Sequence, residues 1–165
     1  MTVAKFGGTS VATGEAIRRL VRIVNQRPDV RVVVVSALAG VTDLLVSIAD
    51  AAEAGRLQEA REAAEPVWER HRLLAADLGL PAETASEIDQ AARGFGRRLA
   101  AMAEARDGRL RRRDEVLATG ELLSSQIVAA ACRAASGPRT WIRATRWTTS
   151  RRPRRGHSQR SAPAR

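Results

Sequence analysis

The segment Val30 to Ser36 reads VRVVVVS, and no other stretch limits the possible folds as tightly. A near-continuous β-branched run of this kind is typical of a strand buried on both faces of a parallel sheet; an antiparallel strand with one wet face alternates instead. Thr2 to Phe6, TVAKF, is the other predicted strand. Parallel neighbours need a crossover, and the residues between supply one. Ile17, Leu20, Val21 and Val24 recur at helical spacing, Thr13 is available as N-cap, Glu15 lies in the first turn and Pro28 follows the end. The opening of the chain therefore predicts a β-α-β unit and an α/β fold.

Beyond Ser36 the chain is expected to turn at Ala39-Gly40 and enter a helix with the apolar stripe Leu44, Leu45, Ile48 and Ala52, closed by Gly55. Residues 56–106 are rich in Ala, Glu, Arg and Leu, with breaks expected at Pro66 and at Leu78 to Pro81, and read as a helical insertion standing apart from the core. Leu110 to Leu117 returns to the main body. Thr119-Gly120-Glu121 then opens a helix expected to bury Leu122, Leu123, Ile127 and Val128.

At 165 residues, 44% hydrophobic and 28% charged, the chain has the size and composition of one soluble globular domain. No apolar stretch approaches the roughly 20 residues of a membrane helix, so no membrane partner is expected. Met1 is followed by a strand-like segment rather than a secretory leader, and Cys132 is the lone cysteine; both features point to a cytoplasmic protein. The net charge of +10 suggests nucleic acid until its location is considered. Arg133 to Arg165 carries ten Arg and no acid, whereas residues 1–132 are neutral overall. The tail has no Leu, Val, Met or Phe and one Ile, too little apolar surface to offset the entropy of ordering, so it is expected to be disordered. The organisation that follows is a folded part, 1–132, and a basic tail, 133–165. A true basic arm, with Trp141 and Trp147 stacking on bases, is the rival reading, although no nucleic-acid motif accompanies the arginines.

Lys5 to Ser10, KFGGTS, brings a Lys, two glycines and two hydroxyls to a strand-to-helix junction. Glycines there let backbone approach an anion, the helix start offers N–H groups, and the Lys could reach the same phosphates. The plain alternative is a tight turn beside a solvated Lys. A second junction follows Ser36-Ala37, with Gly40-Val41-Thr42-Asp43 at the start of the next helix. Both turns must open on one sheet edge, where open α/β sheets bind ligands. Thr42 as a helix N-cap, and Asp43 and Glu121 as first-turn acids, are the structural alternatives at these positions.

KFGGTSV at Lys5 to Val11, VVVVSALAGVTDLL at Val32 to Leu45 and TGELLSS at Thr119 to Ser125 resemble, in order and spacing, the first three signature segments of aspartate kinases in the amino acid kinase superfamily. The resemblance covers residues 1 to about 132, and the helical stretch before TGELLSS is similar to the branch of lysine-sensitive enzymes and homoserine dehydrogenase fusions. It implies the N-terminal part of a three-layer α/β/α sandwich. It also implies that ATP phosphorylates the side-chain carboxylate of L-aspartate to 4-phospho-L-aspartate, the first step towards lysine, threonine and methionine. By resemblance Lys5 is catalytic; Lys5, Gly7, Gly8, Thr9 and Ser10 bind ATP phosphates; Ser36, Thr42 and Glu121 bind aspartate, with Glu121 partnering the ammonium. Mg²⁺ would be held through the phosphates, with no metal ligand from the chain, and the full-length enzyme is expected to be a homo-oligomer. A carboxylate nucleophile is already ionised, so the reaction needs alignment and charge neutralisation rather than a general base.

The family pattern stops near Cys132. A W-x-D-x-R-like segment and a glycine-arginine-glycine-glycine-Ser-Asp turn, which carry further substrate-binding groups and precede the adenine-binding part, have no match. Thirty of the 33 tail residues are Arg, Ala, Ser, Thr, Pro, Gly or Trp, as an out-of-frame reading of G/C-rich DNA would give. The expectation is a truncated, inactive fragment; the alternatives are a nucleotide-binding pseudoenzyme or a nucleic-acid-binding protein acting through its tail.

Overall fold

The computed structural model describes residues 2–104 and 109–135. Arg133 to Ala135, expected to begin the disordered tail, instead complete the last helix; the tail beyond Ala135, and with it the rest of the expectation of disorder and the question of a nucleic-acid arm, lies outside the described residues.

Strand β1 (Thr2–Phe6) leads through a short 3₁₀ turn, Gly8–Val11, into helix α1 (Gly14–Asn25), and strand β2 (Val30–Val35) returns beside β1. Five helices follow: α2 (Val41–Glu53), α3 (Leu57–Asp77), α4 (Ala82–Ala103), α5 (Arg109–Leu117) and α6 (Thr119–Ala135). The strands pair in parallel, with Val3 opposite Val32, Lys5 opposite Val34 and Phe6 opposite Val35. This is the predicted β-α-β unit, and the α/β class holds with helix as the dominant element. Strand β2 ends one residue earlier than expected, although the Ser36 N–H still bonds the Phe6 carbonyl at 3.1 Å. Thr13 caps α1 as predicted, its hydroxyl accepting from the Ala16 N–H at 3.2 Å.

The two faces of the sheet differ. Ala4, Phe6, Val33 and Val35 pack against the core, whereas Val3, Val32 and Val34 are 56%, 39% and 41% exposed. The expectation that β2 is buried on both faces is therefore corrected. Its unbroken apolar run suits two covering layers, and among the described residues helices cover one.

The helical layer corrects three further expectations. Leu44 is exposed; the buried face of α2 is Val41, Leu45, Ile48, Ala49 and Ala52. Leu122 is only half-buried on α6, where Leu123, Ile127 and Val128 are buried as expected, joined by Ser124 and Ala131. Pro66 lies inside α3 and does not break it. Proline removes one ladder donor and crowds the preceding turn, and burial of Ala60, Ala64, Val67, Trp68 and Leu74 along the same face offsets that cost. The break at Leu78 to Pro81 does occur, with Gly79 left-handed at φ +62°.

Helices α3 and α4 do not stand apart from the core, because their buried residues belong to the same continuous cluster as α1, α2 and α6. Trp68 meets Phe95 edge to face at 5.1 Å between centroids, a geometry that aromatic quadrupoles favour. Arg72 on α3 bonds Asp89 on α4 at 2.8 Å, and Arg113 on α5 reaches Asp50 and Glu53 on α2 at 2.7 and 3.1 Å. His71 is fully buried in this layer. Its Nδ1 donates to the Val67 carbonyl at 2.6 Å, while Nε2 has no partner among the described residues. Burial, opposed by that bond and assisted by the charge of Arg70, pushes its pKa down and keeps it neutral.

Candidate active site

Both β-to-α turns lie at the carboxyl ends of the paired strands. In the first, Gly7 has extended backbone, φ −77° and ψ 174°, and Gly8 begins the 3₁₀ turn. Neither glycine needs a positive φ. They do different work. A Cβ on Gly8 would lie 2.8 Å from the Ala37 carbonyl oxygen and 3.2 Å from the Ala39 nitrogen, so only glycine lets the two turns touch. A Cβ on Gly7 would meet nothing within 4 Å. Ser10 N–H bonds the Gly7 carbonyl at 3.0 Å, and the amides of Gly8 and Thr9 make no hydrogen bond among the described residues. Helix α1 starts only at Gly14, so the expected direct passage from glycines to α-helix is replaced by the intervening 3₁₀ turn. Lys5 stands exposed on the open sheet face, with no ion pair among the described residues.

The second turn is held at nearly every peptide. Gly40 is left-handed at φ +80° and takes the N-cap position of α2, which removes the alternative role of Thr42 as cap. Thr42 and Asp43 are exposed in the first turn. Ala39 N–H bonds the Gly8 carbonyl at 3.2 Å, and Val41 N–H bonds Leu38 at 2.9 Å. Two side chains from distant elements complete the set: Ser124 Oγ donates to the Ser36 carbonyl at 2.8 Å, and Arg70 Nη1 donates to the Ala39 carbonyl at 2.7 Å.

The start of α6 closes on the same turn. Gly120 is buried, and a Cβ there would lie 2.7 Å from the Ala37 methyl and 3.2 Å from Leu45 and Val41 side-chain atoms. Glu121 follows in the first helical turn, half-buried, with no hydrogen bond or ion pair to its carboxylate among the described residues. The structure thus brings together the segments carrying Gly8, Ser36, Thr42 and Glu121. It does not bring every candidate into one cavity. Thr9 and Ser10 line a cleft of about 360 Å³ with Phe6, Thr13, Glu15 and Arg19, and Lys5, Ser36, Thr42 and Glu121 are not among its walls. Arg70 and Ser124 were not singled out from the sequence. Ser124 sits inside a signature segment and could have been; Arg70 has no local signal, since a charged residue on an amphipathic helix usually faces water.

The sequence matches the amino acid kinase family over residues 1–163. The chain belongs to that family. Among its relatives, “Putative inactive aspartokinase 3” of Haemophilus influenzae is 37% identical over 99 residues, 60% of this chain and 71% of that protein. The aspartokinase of Chlamydia muridarum is 37% identical over 137 residues, 81% of this chain and 28% of the relative. The fold is similar to Escherichia coli aspartokinase III in complex with aspartate and ADP, with a TM-score of 0.66, 34% identity, and coverage of 79% of this chain and 28% of that one. The family chain resembled is therefore aspartokinase, at the N-terminal part of its catalytic domain. Apart from the Haemophilus protein, the chain spans less than a third of each of these relatives. No helix among the described residues is long and apolar enough to cross a membrane.

Proposed function

We propose that the interlocked turns form the phosphate and aspartate portions of an aspartate kinase site, in which the γ-phosphoryl group of ATP passes to the side-chain carboxylate of L-aspartate. The observation that carries this reading is the convergence of three signature segments on the Ser36–Gly40 turn, through Gly8, Gly120 and Ser124. Open space at Gly7 and the uncommitted amides of Gly8 and Thr9 suit phosphate oxygens, with the hydroxyls of Thr9 and Ser10 beside them. Lys5, with no ion pair among the described residues, is the cation for charge that builds as the phosphoryl group moves. Ser36 and Thr42 flank the rigid turn and would orient aspartate, while the Glu121 carboxylate, without a partner among the described residues, would take its ammonium. Mg²⁺ would be carried by the ATP phosphates, where it screens their charge.

In this reading residues 1–132 are the catalytic portion and 133–165 a separate tail of a cytoplasmic, oligomeric enzyme of the aspartate-family pathway. The family's Arg- and Asp-bearing turn has no match in 1–165, so these residues hold part of a site and bind without turning over. Aspartyl hydroxamate formation from ATP, Mg²⁺ and L-aspartate tests this. The 165-residue chain should give none, and a chimera joining residues 1–132 to the remainder of aspartokinase III should be active. Lys5→Ala in that chimera should lower kcat by about 10³ with a much smaller change in aspartate KM, as expected for a group acting mainly in the transition state. A kcat within about tenfold of the unmutated chimera would reduce Lys5 to a strand residue.

A further inference from the structure

Arg70 sits on α3, one turn past Pro66, in a stretch whose neighbours Val67, Trp68 and His71 are buried. Those neighbours fix its backbone. Its half-buried guanidinium reaches across to the β2-to-α2 turn and donates from Nη1 to the Ala39 carbonyl at 2.7 Å. Unlike Arg72 on the same helix, which pairs with Asp89, Arg70 makes no ion pair among the described residues. A charge-assisted bond from a guanidinium to a carbonyl is stronger than a neutral one, so this contact holds the Ala39 carbonyl firmly.

The place it holds matters. The same peptide segment donates Ala39 N–H to Gly8 and is followed by the left-handed Gly40, after which α2 begins and presents Thr42. At the other end Ser124 holds the Ser36 carbonyl. Arg70 and Ser124 are thus two side-chain clamps on the turn that lies between Ser36 and Thr42, one from α3 and one from α6. Ser124 belongs to a segment already assigned to the site; Arg70 does not.

We infer that Arg70 is a positioning residue for aspartate: by clamping the Ala39 carbonyl from the α3 helix it sets the placement of Ser36 and Thr42, without itself touching substrate. This inference rests on the aspartate kinase reading. Among the described residues the phosphate turn shares one hydrogen bond with the clamped segment, from Ala39 N–H to the Gly8 carbonyl, and the amides of Gly8 and Thr9 take no part in it, so the clamp should govern aspartate more than ATP. A misplacement of the order of 1 Å at a binding group is enough to lower performance by about 10- to 100-fold.

The test uses the full 165-residue chain, unmutated and as Arg70→Met, Arg70→Gln and Arg70→Lys. Hydrogen exchange is followed at the amides of Ser36, Ala39 and Val41, each hydrogen-bonded within or beside the turn, and binding of L-aspartate and of Mg·ATP is measured separately by calorimetry. Arg70→Met should speed exchange at these three amides by about tenfold or more while leaving α1 and α4 protected, as expected for local opening. It should weaken aspartate about tenfold with Mg·ATP changed less than about twofold. Arg70→Lys should restore most of both effects, and Arg70→Gln less, if the charge of the donor counts. Unchanged exchange at the turn in Arg70→Met overturns the inference, as does a uniform rise across the whole chain with both ligands weakened alike, which would make Arg70 a general stabilising contact. Absence of aspartate binding by the unmutated chain would instead remove the aspartate kinase reading on which the inference rests, while the exchange data would still decide whether the clamp exists.

Discussion

The two turns at the end of the sheet share a sheet edge and differ in how they are held. Gly7 to Ser10 is open: Gly7 and Thr9 are exposed, a side chain at Gly7 would meet nothing within 4 Å, and the amides of Gly8 and Thr9 make no hydrogen bond among the described residues. Ser36 to Gly40 is held by Phe6, Gly8, Ser124 and Arg70 and carries a left-handed glycine. The contrast fits the two ligands proposed for them. A polyphosphate can wrap an open turn through several oxygens and bring a cation with it. A small amino acid offers few atoms, so the groups reading it have to be preorganised, since ordering them on binding would subtract from affinity. One turn is built to be completed by its ligand and the other is completed by the protein.

The largest effect should come from Gly8, where the two turns touch. Gly8→Val places a branched side chain against the Ala37 carbonyl and the Ala39 backbone, neither of which is a flexible end that can move aside. The cost should be about 2–3 kcal/mol, at the upper end for overpacking, read as a lower urea midpoint at unchanged slope. It should also release the Ala39 N–H from the Gly8 carbonyl. A variant as stable as the unmutated chain would mean that the turns do not depend on each other.

How legible these regions were in the sequence follows the same division. The open turn could be read locally, because glycines, hydroxyls and a Lys at a strand end state their chemistry in six residues; the strands, the Thr13 cap and the Gly40 turn were legible for the same reason. The held turn could be located but its supports could not. Arg70 lies 31 residues from Ala39, and Ser124 lies 88 from Ser36; no periodicity encodes which charged residue of a helix turns inward. Leu44 was misplaced by one helical position, because Val41, which takes the buried place, looks from sequence like part of the turn. Residues 56–106 looked separable because Ala and Glu dominate, yet Ala60, Ala64 and Ala75 are the small residues that let helices approach closely within one core. The bare face of β2 was equally illegible, since an apolar run records that a strand can be covered on both sides and not which residues cover it.

The support of the held turn should be sensitive to acid in a way the open turn is not. His71, next to Arg70, is buried neutral with its pKa below the ordinary 6.5, chiefly by desolvation. The unfolded chain therefore binds more protons than the folded one as pH falls below about 6.5, and stability is lost there, by at most about 1.4 kcal/mol per pH unit, levelling off below the folded pKa. Above that pH the contribution is fully present. Denaturation curves at pH 7.5 and 5.5 should differ accordingly, and His71→Leu should remove most of the difference attributable to this group. Equal pH slopes in the two proteins would exclude His71 as the source.

The smallest structural effect, and the sharpest separation of the turns, should come from Gly7→Ala. The backbone there is at φ −77° and ψ 174°, where any residue is at ease, and the added methyl meets nothing within 4 Å. Stability should stay within about 0.5 kcal/mol of the unmutated chain, and could rise slightly because alanine has less freedom to lose on folding. If the open space is where phosphate oxygens approach the backbone, the same methyl occupies it, so Mg·ATP affinity should fall while aspartate binding and exchange at the held turn stay as they were. Gly8→Val should do the reverse, loosening the fold before any ligand is added. If Gly7→Ala leaves Mg·ATP binding intact, the open turn is not a phosphate cradle, and the uncommitted amides of Gly8 and Thr9 then reflect ordinary surface exposure at a strand end.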